Sequence, residues 1–399
     1  MFKLNSDIKN HPDRTGGFWV TPYQQLLLHA ALSSAEVAKS AWRQWCSEID
    51  FVEDELDLGS FRLLPLVYYN LRKVVPDDPL MPTLRGIHHR SWVQTQLQIE
   101  GCTEVLARFQ DAGIEPLLLK GLPLALRYYP TLGTRPMGDV DVLVPRSQVY
   151  DAINLLTELG WQPGARSVAS INDNYLAMRH AHDFSNDKGQ AIDLHWHVLF
   201  NALNSTVDAS YWQDAVPLTV NEVATRSPNP TDLLLHVCVH GIAWAPIPPI
   251  RWVADAVSIL RKAQSQIDWE RLTLLAAQSQ TSLQLHMALD FLNQLDVEVK
   301  VPDEALDELQ RVQVSPGARR IFAAQTQRTL LLGHLPVLWA RYQSYAARQR
   351  SLPKGLVWLG FPGYVAAYYE LTSPMDVVRW TMTRIVKRFT LWLSHGSRA

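Results

Sequence analysis

The chain has 399 residues, a formal net charge of -2, and 47% apolar and 19% charged side chains. That length suits two or three domains with sizeable cores, and the composition excludes wholesale disorder. Three cysteines, Cys46, Cys102 and Cys238, are too few and too scattered for a disulfide framework or a zinc ribbon.

The opening segment, MFKLNSDIKNHPDR, is polar and lacks the apolar centre of a signal peptide. No apolar run reaches the ~18 residues needed to span a bilayer, so a cytoplasmic location is the expectation. Residues 1–110 read as an N-terminal helical region. Thr21-Pro22 is a helix start, with an N-cap threonine and proline at the first helical position. Leu26, Leu27, Leu28, Ala31 and Leu32 follow at near-helical spacing. Ser60 to Tyr69 predicts a shorter helix. His88 to Ala112 predicts a long one, with Trp92, Leu97, Val105, Leu106 and Phe109 on apolar faces and Gly113 as its stop. No chemical motif stands out here.

Residues 111–215 carry the chemistry. Ile114 to Leu119 is a short β-type run ending at Lys120-Gly121, followed by a helix over Leu122 to Tyr129 and a turn-rich link to Gly138. Asp139-Val140-Asp141 then enters the apolar strand Val142-Leu143-Val144. Side chains alternate along a strand, so Asp139 and Asp141 face the same way and repel unless a cation lies between them. Hard divalent ions such as Mg2+ (or Mn2+) take oxygen ligands of this kind together with substrate phosphates. A glycine just after a strand lets backbone approach a phosphate closely. Ser147 to Leu159 predicts a helix stopped by Gly160. His182 to Ser185 and Ala191 to Trp196 flank the turn Asn186-Asp187-Lys188-Gly189 and predict a β-hairpin. The hairpin sets Asp193 in mid-strand with His195 and His197 on the same side, His195 as a support for Asp193. An acid in that position is costly unless paired or metal-bound.

Three segments, Leu119-Lys120-Gly121, Gly138-Asp139-Val140-Asp141-Val142 and Ile192-Asp193-Leu194-His195-Trp196, resemble the bacterial family of uncharacterised nucleotidyltransferases, within the DNA polymerase beta-like superfamily. The Ile250-Arg251-Trp252 to Asp255 stretch is also similar to that family. The superfamily usually has Gly-Ser or Gly-Gly where this chain has Gly121-Leu122. The resemblance implies an α/β (α+β) core with a small mixed sheet, flanked by N- and C-terminal all-helical regions. It implies an NTP donor such as ATP, and catalytic, metal-binding Asp139, Asp141 and Asp193. Two divalent ions ~4 Å apart can neutralise the transferring group and the leaving pyrophosphate. Lys120, Gly121 and Arg135 are candidates for nucleotide binding. Arg135 has an equal alternative as a structural partner for a carboxylate.

Beyond Phe200 the chain reads as helical again, with a helical domain over 216–310. His236 and His240 stand at i, i+4, a spacing that can bind zinc, but no third ligand is near in sequence and a core role is preferred. Arg251 and Asp255, four apart, can pair along their helix. Residues 311–399 read as a basic helical region. From Ser315 onward there are 12 Lys and Arg against 2 acids, while the remainder has 25 against 37. Ser373-Pro374-Met375-Asp376 is a strong helix start. Val378, Met382, Ile385, Phe389 and Trp392 then form a stripe among Arg379, Arg384, Lys387 and Arg388. Such a helix packs on the body, lies on an anionic surface, or holds a nucleic-acid acceptor. Trp358, Phe361, Tyr364, Tyr368 and Tyr369 line an acceptor site or fill a core. The expected activity is transfer of a nucleoside monophosphate to an acceptor hydroxyl on a small molecule, a protein or a nucleic acid. The alternative is an inactive nucleotidyltransferase fold that holds an anionic partner, nucleic acid or membrane surface, through its basic C-terminal helices.

Overall fold

Alternation along the strands decides how the layers stack. In the computed structural model, which describes residues 19–51, 56–164, 167–200, 202–203, 205–242, 249–326, 335–349, 354–369, 371, 375–383 and 386, seven strands form one mixed sheet in the order β3-β4-β5-β2-β1-β7-β6. The strands are β1 (Leu117–Leu118), β2 (Val140–Leu143), β3 (Gln162–Pro163), β4 (Ala181–Ser185), β5 (Ala191–His195), β6 (Val216–Val220) and β7 (Val223–Ser227). The pairs β2–β5 and β1–β7 are parallel and the rest antiparallel. Every residue of the central strand β2 is buried, as expected for a strand covered on both faces.

Helices cover both faces. The N-terminal layer is α1 (Pro22–Leu32), α2 (Ala35–Glu48), α3 (Leu58–Leu71) and α4 (Met81–Asp111). Inside the sheet region lie α5 (Gly121–Arg127), α6 (Val149–Glu158), α7 (Asp173–Met178) and α8 (Ser205–Gln213). The following helices are α9 (Pro230–Gly241), α10 (Arg251–Ala263), α11 (Trp269–Gln278), α12 (Ser282–Gln294) and α13 (Asp303–Arg311). On one face of the sheet Leu117, Leu119 and Leu143 join a large core built from α1 to α3 and α9 to α12. On the other, Leu118, Val140, Val142, Ile192 and Leu194 pack against α4 and α6. Asp141 and Asp193 have the parity of Leu143, so they point toward the face covered by α3, α9 and α10.

Local chemistry explains the boundaries. Thr21 caps α1 with a full capping box to Gln24, and Pro22 sits in its first turn. Asp57 caps α3 by accepting from the Ser60 amide at 2.9 Å. Pro65 lies inside α3 and is buried. Gly241 is required where α9 meets α10, because a Cβ there would lie 2.2 Å from Cγ of Trp252. Helix α4 begins at Met81 rather than near His88, with proline in its first turn.

One expectation is corrected. Residues 216–227, read as the start of a helical domain, form the hairpin β6–β7 and extend the sheet through the parallel β7–β1 pair. Val216, Leu218 and Val220 alternate with polar or proline positions, and Asn221 takes the left-handed turn conformation (φ 39) that asparagine tolerates.

Toward the C-terminus, α14 (Pro316–Thr326), α15 (Leu335–Gln349) and α16 (Phe361–Tyr369) follow. Leu338, Tyr342 and Tyr364 build a satellite core on Met178 of α7, with Phe361, Tyr368 and Tyr369 packed against it. These aromatics therefore fill a core, whereas Trp358 is 61% exposed. Residues 375–383 are helical, with Met375, Val378 and Met382 exposed. Ser373 and Pro374 of the predicted helix start, and Arg384, Ile385, Lys387, Arg388, Phe389 and Trp392 around its stripe, lie outside the described residues. No described helix is long and apolar enough to cross a membrane.

Candidate functional site

The parallel register of β2 and β5 sets Asp141 directly beside Asp193 and Leu143 beside His195. Two carboxylates on neighbouring strands, on one face, need positive charge between them. The chain supplies it twice. Nε2 of His195 lies 3.1 Å from Oδ1 of Asp141 and 3.1 Å from Oδ2 of Asp193. Nζ of Lys120 donates to Oδ1 of Asp141 at 2.7 Å. Burial would raise the Asp141 carboxyl, but Lys120 and His195 hold it well below the usual carboxylate range. Burial likewise opposes ionisation of Asp193, and His195 outweighs it and lowers its pKa. Burial alone would make His195 neutral; Asp193 and Asp141 instead raise it to about 9.

Lys120 is positioned at a conformational cost. Its φ of 39 is a left-handed conformation unusual for a side-chain-bearing residue, worth about 1–3 kcal/mol and retained only where the surroundings over-determine it. Two bonds do so: Leu119 N donates to the Asp141 carbonyl at 2.9 Å, and Lys120 Nζ grips the carboxylate of the same residue. Gly121 follows in a tight space, where a Cβ would lie 3.1 Å from Sδ of Met137 and 3.3 Å from Nη1 of Arg135.

Asp139 stands just before β2 on the exposed rim. Protein crowding of its carboxyl, then the like charges of Asp141 and Asp193, raise its pKa. Among the described residues, the one group of three potential metal ligands within 4.8 Å of one another is Asp141, Asp193 and His195. Asp139 is outside that tight group and reaches it electrostatically. This donor set fits a hard divalent ion: carboxylate oxygens dominate, they repel one another, and their present counter-charges are side chains.

Arg135 is 3% exposed and bidentate on Asp255, Nε to Oδ1 at 2.7 Å and Nη2 to Oδ2 at 2.9 Å, with Tyr129 Oη donating to the same Oδ1 at 2.7 Å. The expected helical pair Arg251–Asp255 does not form, because Asp255 is already taken. Arg251 instead donates Nη1 to the Pro136 carbonyl at 2.8 Å. Burial, then the nearby Arg135, depress Arg251 to about 10.

Two chambers open on the carboxylates. A cleft of about 640 Å³ is bordered by Lys120, Gly121, Leu124, Arg251 and Trp252, with Asp139 and Asp141 at one wall. That volume is in the range of small-ligand sites. A second, of about 460 Å³, is bordered by Tyr175, Arg179, His180, Asp183 and Asp193. Arg179 on its wall lies 3.7 Å from the Tyr368 ring centroid and donates to the Tyr368 carbonyl at 2.8 Å, tying the chamber to the C-terminal aromatic cluster.

His236 and His240 form no such ligand group among the described residues. His236 is buried against Tyr211 and His240, and His240 packs edge-on to Phe200. His240 itself is exposed on the wall of the larger cleft, where desolvation by the surrounding protein and then the Lys120 charge lower its pKa. His197 binds Asp208 at 2.6 Å rather than joining the carboxylates. Sequence reasoning missed Arg62 of α3, which borders both chambers, and Trp252 as a cleft wall. For Arg62 the signal was present: one cation inside the apolar run Phe61-Arg62-Leu63-Leu64-Pro65-Leu66.

A family model described as "Uncharacterised nucleotidyltransferase" matches residues 60–295. Solved structures similar to the chain include the antibiotic-resistance factor ANT(2'')-Ia, at 13% identity, TM-score 0.32, over 51% of this chain and 98% of that one. Another is an antigenic nucleotidyltransferase-like protein from Paracoccidioides brasiliensis, at 14% identity, TM-score 0.33, over 55% of this chain and 95% of that one. Among curated proteins none matches the chain.

Proposed function

The chain belongs to the uncharacterised nucleotidyltransferase family, and from that premise we propose that it transfers a nucleoside monophosphate from an NTP to an acceptor hydroxyl, dependent on Mg2+ or Mn2+. The observation that carries this reading is the β2–β5 register, with Asp141 and Asp193 side by side, Asp139 at the rim, and a chamber on either side. In this proposal Asp139, Asp141 and Asp193 hold the divalent ions. When bound, such ions neutralise the phosphates and orient the transferring group.

The donor triphosphate takes the cleft bordered by Lys120 and Gly121, whose cationic side chains Lys120 and Arg251 offset its charge. Arg135 supports that cleft from behind through Asp255. The acceptor takes the second chamber, where Asp193, kept ionised by His195, accepts the hydroxyl proton. Apolar walls at Leu124 and Trp252 help exclude water from the donor side.

The test is transfer of label from α-labelled ATP, CTP, GTP or UTP onto a panel of hydroxyl acceptors, comparing the unsubstituted chain with Asp193→Asn. Metal-dependent labelling that disappears in the variant supports the reading and names the acceptor class. Labelling that persists in Asp193→Asn contradicts the role of that residue.

A further inference from the structure

We propose that Arg62, delivered by the N-terminal helix α3, is a catalytic residue that contacts the transferring phosphoryl group. The inference rests on the nucleotidyltransferase reading and adds a residue from outside the strand motifs. Among the described residues, two alone border both chambers, Asp139 and Arg62. A group shared by the donor and acceptor sides stands where the α-phosphorus must pass from one oxygen to the other.

The cations around the cleft differ in what they already hold. Lys120 is bound to Asp141, Arg135 is bidentate on Asp255, and Arg251 donates to the Pro136 carbonyl. The Arg62 side chain makes no hydrogen bond or ion pair to another described residue, so its planar fork of donors is available for phosphate oxygens. It sits close enough to Arg251 for their charges to repel, which an intervening anion would relieve.

Its support is rigid. Asp57 caps α3 through Ser60 and also accepts from Gln24 Nε2 of α1 at 3.2 Å. Leu63 and Leu64, the next two residues, are at most 1% exposed in the core. A side chain on a helix held at its N-terminus and along its buried face can be aimed with the precision that transition-state contacts require.

The step it serves balances simply. The acceptor oxygen forms a bond to the α-phosphorus, the bond from that phosphorus to the oxygen bridging to the β-phosphate breaks, pyrophosphate leaves with that electron pair, and the acceptor proton passes to a base. With water as acceptor, NTP and water give NMP and pyrophosphate. Charge grows on the leaving oxygen, and a guanidinium there stabilises the transition state more than the ground state.

The full chain is compared with Arg62→Met, which keeps the aliphatic stem. NTP affinity is measured by calorimetry with Mg2+, and pyrophosphate release from NTP and water by single-turnover kinetics. The expected result is a ~100-fold slower release with NTP affinity changed less than ~fivefold. Release within ~threefold of the unsubstituted rate, or a rate loss matched by lost affinity, overturns the assignment.

A second readout needs no turnover. Phenylglyoxal modifies exposed, unpaired arginines, and peptide mass spectrometry locates the adducts. Arg62 should react in the free protein and be protected by NTP with Mg2+, while Arg135 stays unreacted in both. An Arg62 that reacts equally with and without NTP overturns the proposal, and where water is too poor an acceptor this readout decides alone. If the unsubstituted chain binds no NTP with metal, the parent reading fails and this inference goes with it. If it binds and Arg62 is indifferent, only this inference fails.

Discussion

Replacing Asp255 by asparagine should show that the guanidinium of Arg135 is built into the protein rather than held ready for a ligand. Asp255 is 4% exposed and receives three hydrogen bonds, two from Arg135 and one from Tyr129. Asparagine keeps the shape and one carbonyl acceptor, so Tyr129 retains its partner, but Arg135 loses its counter-charge while remaining 3% exposed. Breaking a buried pair by removing one charge costs about 3–5 kcal/mol. At ~2 °C per kcal/mol for a large cooperative unit, a 4 kcal/mol loss lowers Tm by roughly 8 °C. Removing both charges, with Arg135→Met added to Asp255→Asn, should recover most of that loss, since no buried charge is left unpaired.

The pH dependence has a definite sign. Burial alone would raise the Asp255 carboxyl, but Arg135 dominates and lowers it. Its contribution is therefore present above the unfolded pKa of about 3.9 and is lost as pH falls through the lower folded value. Thermal unfolding of the wild type, the single and the double variant at neutral and acid pH measures all of this. An Asp255→Asn protein as stable as wild type, or a double variant no better than the single, would refute the reasoning.

Three further outcomes follow from the same geometry. Asp139→Asn should leave the unfolding free energy within ~0.5 kcal/mol of wild type, because an exposed residue relieved of like charge loses little, while metal-dependent NTP binding disappears. A large drop in Tm would mean that Asp139 is structural. Gly241→Ala pushes a Cβ to 2.2 Å from Trp252 and should cost about 1–3 kcal/mol in chemical denaturation; unchanged stability would show that the α9–α10 contact can open. For His195→Gln the sign is opposite to that of Asp255. Burial lowers but Asp193 and Asp141 raise the imidazole to about 9, above an unfolded value of about 6.5. Its stabilisation is fully present below about pH 6.5 and fades as pH rises through the folded value. The Tm gap between wild type and variant should therefore narrow from pH 6 to pH 9.5, and a constant gap would contradict the carboxylate contacts.

The strand motifs were legible because alternation alone sets Asp139 and Asp141 on one side of their segment and Asp193 and His195 on one side of theirs. The hairpin from Ala181 to His195 was legible from its Asn186 to Gly189 turn. What the sequence did not disclose was pairing between distant segments. Nothing local says that β2 lies parallel to β5 in the register Asp141 to Asp193, or that His195 spans both carboxylates.

Arg135 illustrates the limit. Its partner, Asp255, is 120 residues away on α10, and the nearer candidate for that acid, Arg251 at i-4, was the natural reading of a helix. The β6–β7 hairpin was hidden differently, since Val216-Pro217-Leu218-Thr219-Val220 is short and interrupted by proline, and both strands lie just ahead of the strong helix start at Asn229-Pro230. Arg62 was passed over because a lone cation in an apolar helix carries no motif; its meaning comes from the two chambers it borders.

The most direct test of the central claim is calorimetric titration with ATP, CTP, GTP and UTP, with and without Mg2+ or Mn2+, of the wild type and Asp141→Asn. The account predicts saturable binding of at least one NTP that requires the divalent ion and is lost in the variant. NTP binding that is indifferent to metal and to Asp141, or no binding of any NTP, would contradict it.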